Sequence, residues 1–314
     1  MNSIMNVNDI AFPNLGIYLN NVPKGFTVFG FFIALYGVFI GIGVMAGIML
    51  AAHVAKQSKI TPDTVWDFAF LAVLVSIICA RIYYVVFRWD LYKHDLLSIF
   101  NLRQGGLAIY GGVIGAFIMV FSYAWKHKIS PAVLGDVCTP GLILGQIIGR
   151  WGNFTNREVF GEFTDNLLAM RLPVDAVRAE DISASLSVRM AAFDPAANYI
   201  QVHPTFLYEG LWNLGVLILM LAFWKKKKYE GQISLIYIGG YGLGRAWIEA
   251  IRTDTLFIPG TKIPVSLVFA VGCVIFSVVM HIYLSRRAKK TATAPTEPRG
   301  SVSEGSATDE KCDD

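Results

Sequence analysis

Long apolar runs separated by short polar connectors dominate the chain. Each run is close to the ~20 residues a helix needs to cross a bilayer's hydrocarbon layer. The pattern predicts seven spans: Phe26–Ala52, Trp66–Phe87, Gly105–Trp125, Pro131–Arg150, Phe206–Trp224, Gly231–Ile251 and Pro264–Leu284. The segment Met1–Gly25 is polar and irregular and is expected to precede the bundle. Trp151–Thr205 contains Pro, Asp, Glu and Arg but no long apolar run, so it reads as a small head. From Ala288 onward the chain is rich in Thr, Ser, Ala, Glu and Asp without apolar periodicity, which predicts a disordered tail. The expected organisation is an N-terminal segment 1–25, a spanning domain 26–284 containing the head 151–205, and a tail 285–314.

The positions of the basic residues orient this bundle. Lys56 and Lys59 follow the first run, Lys126 and Lys128 the third, and Lys225–Lys228 the fifth. Arg286, Arg287, Lys289 and Lys290 follow the seventh. With seven spans all four clusters fall on one side, which the positive-inside rule makes cytoplasmic. The N-terminus and head are then outside and the C-terminus inside.

Composition agrees. The chain has 314 residues, 54% hydrophobic and only 16% charged, and a net charge of +4. Its mean hydropathy is +0.51. Ordinary soluble domains carry about 25% charged residues. The figures exclude a soluble enzyme, a disordered chain and a nucleic-acid binder. The expected class is an all-α integral membrane protein. No basic stretch with a small-residue cleavage site opens the chain, so no removable signal peptide is expected. Cys79, Cys138 and Cys273 lie in apolar runs and Cys312 in the polar tail, with no metal-ligand or CxxC spacing. The first three read as small hydrophobic side chains. Glycines recur four apart at 37/41, 43/47, 111/115, 141/145/149 and 240/244. That spacing lets helices approach closely in lipid.

Polar residues at the outer ends of the runs are the candidates for chemistry, because charge at that depth needs a partner or water. The densest stretch is Gly149–Gly161, where Arg150 is followed by Asn153, Asn156, Arg157 and Glu158. Arginine offers a planar fork suited to phosphate, and asparagine both donates and accepts. In the sixth run Arg245, Glu249 and Arg252 share one helix face at i, i+4 and i+3 spacing. Gln201–Glu209 re-enters the membrane with His203, a candidate base or donor. Glu209 lies one turn into an apolar run and needs a buried partner, for which the arginines are candidates. Gln104–Gly112 brings two glycine pairs and Tyr110 to the same level. Tyr36 and Arg81 sit in the first two runs and either face the same cavity or serve packing. A cationic, hydrogen-bonding pocket among apolar helices suits an amphiphile with an anionic headgroup. Residue chemistry alone leaves open whether that lipid is bound, carried or cut. The rivals to an enzyme are a transporter or flippase for an anionic amphiphile, and a receptor or scaffold with a structural Arg–Glu network.

At these residues the chain resembles the bacterial prolipoprotein diacylglyceryl transferase family. Gly149–Gly161 fits that family's G-R-x-G-N-F-x-N-x-E-x-x-G signature at every fixed position. His203–Glu209 fits H-P-S/T-x-L-Y-E, and Gly240–Arg252 fits G-Y-G-x-x-R-x-x-x-E-x-x-R. The likeness runs from about Phe26 to Leu284. It implies an enzyme of the bacterial inner membrane acting on phosphatidylglycerol. The diacylglyceryl group would pass to the lipobox Cys thiol of a prolipoprotein signal peptide, giving a thioether and glycerol 1-phosphate. It implies no cofactor, metal or nucleic acid. Arg150, Arg245, Tyr110 and His203 are the implied catalytic group. Tyr36, Arg81, Asn153, Asn156, Glu158, Gly161, Glu249 and Arg252 are the implied substrate-binding group, Glu158 and Glu249 by orienting the arginines. One departure stands out: many members have His where this chain has Tyr110. A tyrosine with pKa near ~10 is a poor base, so either another group deprotonates the thiol, or Tyr110 acts through its phenolate, or this position serves positioning only; positioning is the expectation, with His203 as the alternative base.

Overall fold

The computed structural model describes residues 5–102, 105–261 and 263–293. Seven long helices follow the predicted runs in order: α1 (Leu35–Ala55), α2 (Pro62–Phe87), α3 (Ile109–Lys126), α4 (Pro131–Asn156), α6 (Thr205–Trp224), α7 (Gln232–Glu249) and α8 (Val265–Thr293). A short helix, α5 (Ala184–Phe193), belongs to the head. All the long helices but α7 are long and apolar enough to cross a membrane. The protein is a predominantly helical, multi-pass integral membrane protein. The remaining helix, α7, packs against α4, α6 and α8 and carries Arg245 and Glu249 at its end.

Local chemistry sets the helix starts. Thr61 accepts from the Thr64 N–H at the start of α2, with Pro62 in the first helical position. Pro131 opens α4 in the same way. The start of α7 is capped from another helix. Asp136 of α4, fully buried, accepts from Gly231 N and Ser234 N at 2.9 Å each and from Lys227 Nζ at 3.3 Å. The carboxylate meets the otherwise unpaired N–H groups of the helix and its positive dipole end.

Glycine governs how α1 meets α4. A Cβ on Gly47 would stand 2.5 Å from the Gly141 carbonyl oxygen, and one on Gly43 3.0 Å from that of Gly145. No side chain fits there, so the two backbones touch. Gly111 and Gly115 bring α3 onto α2 in the same manner, whereas Gly37 and Gly41 face open space and serve no such contact. The bundle's apolar core gathers Ala55, Val65, Tyr123, Leu134, Met220 and Ile233 at the end remote from the head.

The head contains strands that apolar periodicity did not predict. β1 (Ile10–Phe12), β2 (Ile17–Leu19), β5 (Met170–Pro173) and β6 (Tyr199–Val202) form an antiparallel sheet in the order β2-β1-β5-β6. The N-terminal segment is thus part of the head, with Ala11 opposite Arg171. Ile10, Phe12, Leu172, Leu186, Ile200 and Val202 form its core, joined to Phe154 of α4 and Phe206 of α6. A second sheet, the hairpin of β3 (Gly25–Val28) and β4 (Phe31–Ala34), occupies what was expected to be the start of the first span. Phe29 and Gly30 both have positive φ, 48° and 80°, which forms the tight two-residue turn of such hairpins. A continuous apolar run does not distinguish strand from helix, and here the turn decides.

Two other boundaries differ from expectation. α4 continues through Trp151–Asn156, so the dense polar stretch is helical before it becomes a loop. α8 continues past Leu284 to Thr293. The expected disorder beyond residue 293 lies outside the described residues, as does Gln104.

Candidate active site

The head-side ends of α4, α6 and α7 converge on one carboxylate. Glu209, one turn into α6 and 2% exposed, pairs with Arg150 of α4 through Nη2 and Oε2. Its other oxygen lies 3.1 Å from Arg245 Nη1 and 3.7 Å from Arg252 Nη1. Three guanidinium groups therefore surround a single buried acid. Arg245 also donates to Glu249 Oε2 at 2.7 Å, one helical turn on. Arg252 lies past the end of α7 and grips Asp254 with two bonds, at 2.9 and 2.7 Å. Burial this deep is tolerated because each charge meets an opposite one, Arg245 and Arg252 with hydrogen bonds as well.

A second chain of contacts runs outward from Arg150. Its Nη1 lies 3.4 Å from Asn153 Oδ1, and Asn153 Nδ2 donates to Glu158 Oε1 at 2.8 Å. The other oxygen of Glu158 meets Arg178 of the head at 3.4 Å. Glu158 thus orients Asn153 and not an arginine of the cluster, while Glu249 does hold Arg245. Asn156 ends α4 half-buried and makes no side-chain hydrogen bond among the described residues. The Tyr36 ring lies over Gly152, where an added Cβ would stand 2.7 Å from it.

The loop after α4 is strained. Arg157 and Val159 both have positive φ, 58° and 59°. For a β-branched residue this is a true outlier, costing about 1–3 kcal/mol. The Thr205 hydroxyl donates to the Val159 carbonyl and holds the turn. Arg157 is buried, with Nη2 donating to the carbonyls of Asn8 at 2.8 Å and Val22 at 2.7 Å. Gly161 then pairs with Arg252 across a bridge and donates to the His203 carbonyl at 3.0 Å. A Cβ on Gly161 would meet the Ile251 carbonyl oxygen at 2.7 Å, so the three motif segments close on one another there.

His203 lies at the entrance to α6. Burial holds its pKa below the usual 6.5 and keeps the ring neutral. Leu168 N–H donates to Asn166 Oδ1, so Asn166 Nδ2 is the end that donates to Tyr208 Oη, at 3.1 Å. Tyr208 Oη in turn lies 3.2 Å from His203 Nδ1, within hydrogen-bond distance, the tautomer deciding which atom donates.

Two expected site residues stand apart from the cluster. Arg81, buried in α2, donates to the carbonyls of Ile99, Gly105, Gly106, Ser98 and Asn101 at 2.7–3.2 Å. Its fork is fully occupied in holding the connector from α2 to α3. Tyr110 opens α3 half-exposed, its ring 6.5 Å from that of Tyr83, and makes no hydrogen bond among the described residues. The site's hub, Glu209, and its outer cation, Arg178, were not among the expected site residues. A carboxylate one turn inside an apolar run was the signal for the first. Arg178 gave none, since its contact with Glu158 depends on how the head folds.

The family profile described as prolipoprotein diacylglyceryl transferase matches residues 23–283. A Clostridioides difficile (strain 630) protein named phosphatidylglycerol–prolipoprotein diacylglyceryl transferase is 39% identical over 266 residues, 84% of this chain and 96% of that protein. Proteins of the same name from Acaryochloris marina and Bacillus cereus are 39% and 38% identical over 249 residues. These alignments cover 79% of this chain and 85% and 86% of theirs. The convergence of the three motif segments on Glu209 and the length of these matches lead to one assignment: the chain belongs to the prolipoprotein diacylglyceryl transferase family.

Proposed function

We propose that the protein transfers the diacylglyceryl group of phosphatidylglycerol to the lipobox cysteine of prolipoproteins, in the outer leaflet of the bacterial inner membrane. The observation that carries this reading is the pair Arg150 and Arg245 held on opposite oxygens of buried Glu209. In the reaction the cysteine thiol gives its proton to a base, for which the neutral His203 imidazole is the candidate, and its sulfur attacks the carbon of the diacylglycerol moiety that bears the phosphate. The S–C bond forms, that carbon's bond to the phosphate oxygen breaks, and glycerol 1-phosphate departs with an added negative charge. Two guanidinium groups in a water-poor pocket stabilise that charge as it develops. They also favour the thiolate, because a nearby cation lowers a thiol's pKa from its usual ~8.5.

The other residues position these parts. Glu249 fixes Arg245 and Asp254 fixes Arg252, while Glu158 aims Asn153, whose remaining polar capacity suits the glycerol hydroxyls. Asn156, Gly161 and Tyr36 shape the pocket around the headgroup. His203, its Nδ1 held by Tyr208 and its ring kept neutral by burial, is the candidate base. Tyr110 and Arg81 act through the arrangement of α2, α3 and their connector. A transporter would need polar residues continuing to the far end of the bundle, where Asp67 and Asp136 are the acids. Asp136 caps the start of α7. The test is incubation of purified protein with phosphatidylglycerol and a lipobox peptide. The peptide should gain the mass of a diacylglyceryl group, and Arg150→Ala and Arg245→Ala should each abolish the gain. Unmodified peptide with the wild-type protein would refute the assignment.

A further inference from the structure

One helical turn beneath the arginine cluster, the bundle contains polar groups that the proposed reaction does not use. Asn213 lies four residues after Glu209 on α6 and is 3% exposed, yet its Nδ2 has no partner among the described residues. Gln146 lies four residues before Arg150 on α4. Its Nε2 donates to Tyr237 Oη of α7 at 2.9 Å, and its Oε1 is buried without a partner among the described residues. Turning the Gln146 amide over only exchanges which end is unpaired. An unpaired buried donor costs about 1–3 kcal/mol, and such groups call for a ligand or water. Gly210, three residues before Asn213 on α6, borders open space: an added Cβ there would meet nothing within 4 Å.

Depth suggests what the ligand offers. A helical turn rises ~5.4 Å, and the headgroup zone of each leaflet is roughly 5–7 Å thick. A group one turn below a bound phosphate therefore stands where a glycerophospholipid's ester carbonyls meet its hydrocarbon. An ester carbonyl only accepts, and the Asn213 amide N–H only donates. We propose that Asn213 recognises an ester carbonyl of the lipid substrate and makes the enzyme select diester over diether lipids. This rests on the phosphatidylglycerol reading above and adds a specificity determinant to it.

The test compares transfer from diester phosphatidylglycerol with transfer from its diether analogue, which has the same headgroup and chains but lacks both carbonyls. Wild-type protein should prefer the diester by about tenfold. Asn213→Leu and Asn213→Asp should both bring that ratio close to one, while Asn213→Gln should restore part of it. The ratio is internal to each variant, so partial misfolding cancels. Equal rates on both lipids with the wild type, or discrimination unchanged in Asn213→Leu, would overturn the inference and leave the transferase reading intact. Absence of transfer from either lipid would overturn both.

Discussion

Replacing Glu209 with glutamine tests the site at its centre. The side chain keeps its shape and loses its charge. Arg245 then retains Glu249 and Arg252 retains Asp254, but Arg150 loses its one carboxylate partner among the described residues. Removing one partner of a buried pair costs about 3–5 kcal/mol. Arg150 is 18% exposed at its side chain, and water there lowers the figure toward ~3 kcal/mol. Expressed wholly in the barrier, that is roughly a 10²-fold loss of rate; any share expressed in the fold lowers the unfolding midpoint instead. Glu249→Gln should do less, about tenfold, because Arg245 still has Glu209. Initial rates of peptide diacylglyceryl transfer and detergent unfolding midpoints, measured on both variants, give the two shares. The reasoning fails if Glu209→Gln stays within about threefold of wild type with an unchanged midpoint. It fails equally if Glu249→Gln is the more damaging change.

Other predictions follow from separate parts of the molecule. Arg81→Lys should fail to replace arginine, because one ammonium cannot serve five carbonyls spread over residues 98–106; limited proteolysis should cut the connector before α3 sooner than in wild type. Gly47→Leu should separate α1 from α4 and lower the yield of folded protein in detergent, whereas Gly41→Leu, which faces open space, should leave it unchanged. Burial depresses the His203 pKa, so as pH falls below 6.5 the unfolded chain takes up the proton first and stability declines. Unfolding midpoints at about pH 7.5 and about pH 5.5 should differ less in His203→Asn than in wild type.

Run length made the helical bundle legible, because it is a local property of each span. The Phe26–Ala34 stretch shows the limit of this. Hydropathy sees a continuous run there, and only the Phe29–Gly30 turn makes it a hairpin. The head sheet was harder still, since β1 finds its neighbour β5 across four long helices. The candidate site was legible as unusual polarity at the run ends, which correctly drew Arg150, Asn153, Arg245, Glu249 and Arg252 together. The partner of each was less so. Arg81 had the chemistry of a phosphate ligand, but its acceptors are backbone carbonyls, which no side-chain pattern advertises. Glu158 stood beside arginines in sequence and bonds to Asn153 and Arg178 in space.

The seating of β1 between β2 and β5 also has a consequence for how the protein is made. β1 leaves the ribosome before any of the long helices, and β5 only after four of them. Until then the first strand lacks its β5 neighbour, and Arg157 has not yet reached the carbonyls of Asn8 and Val22. Pairing across such a distance is slow, because the loop must close before the contact rewards it. Glu209, Arg245 and Arg252 emerge later still. A nascent chain therefore cannot assemble its reactive pocket piecemeal: closure of the head and completion of the charge cluster both wait for the second half of synthesis. A half-made enzyme stays inert toward the lipids around it.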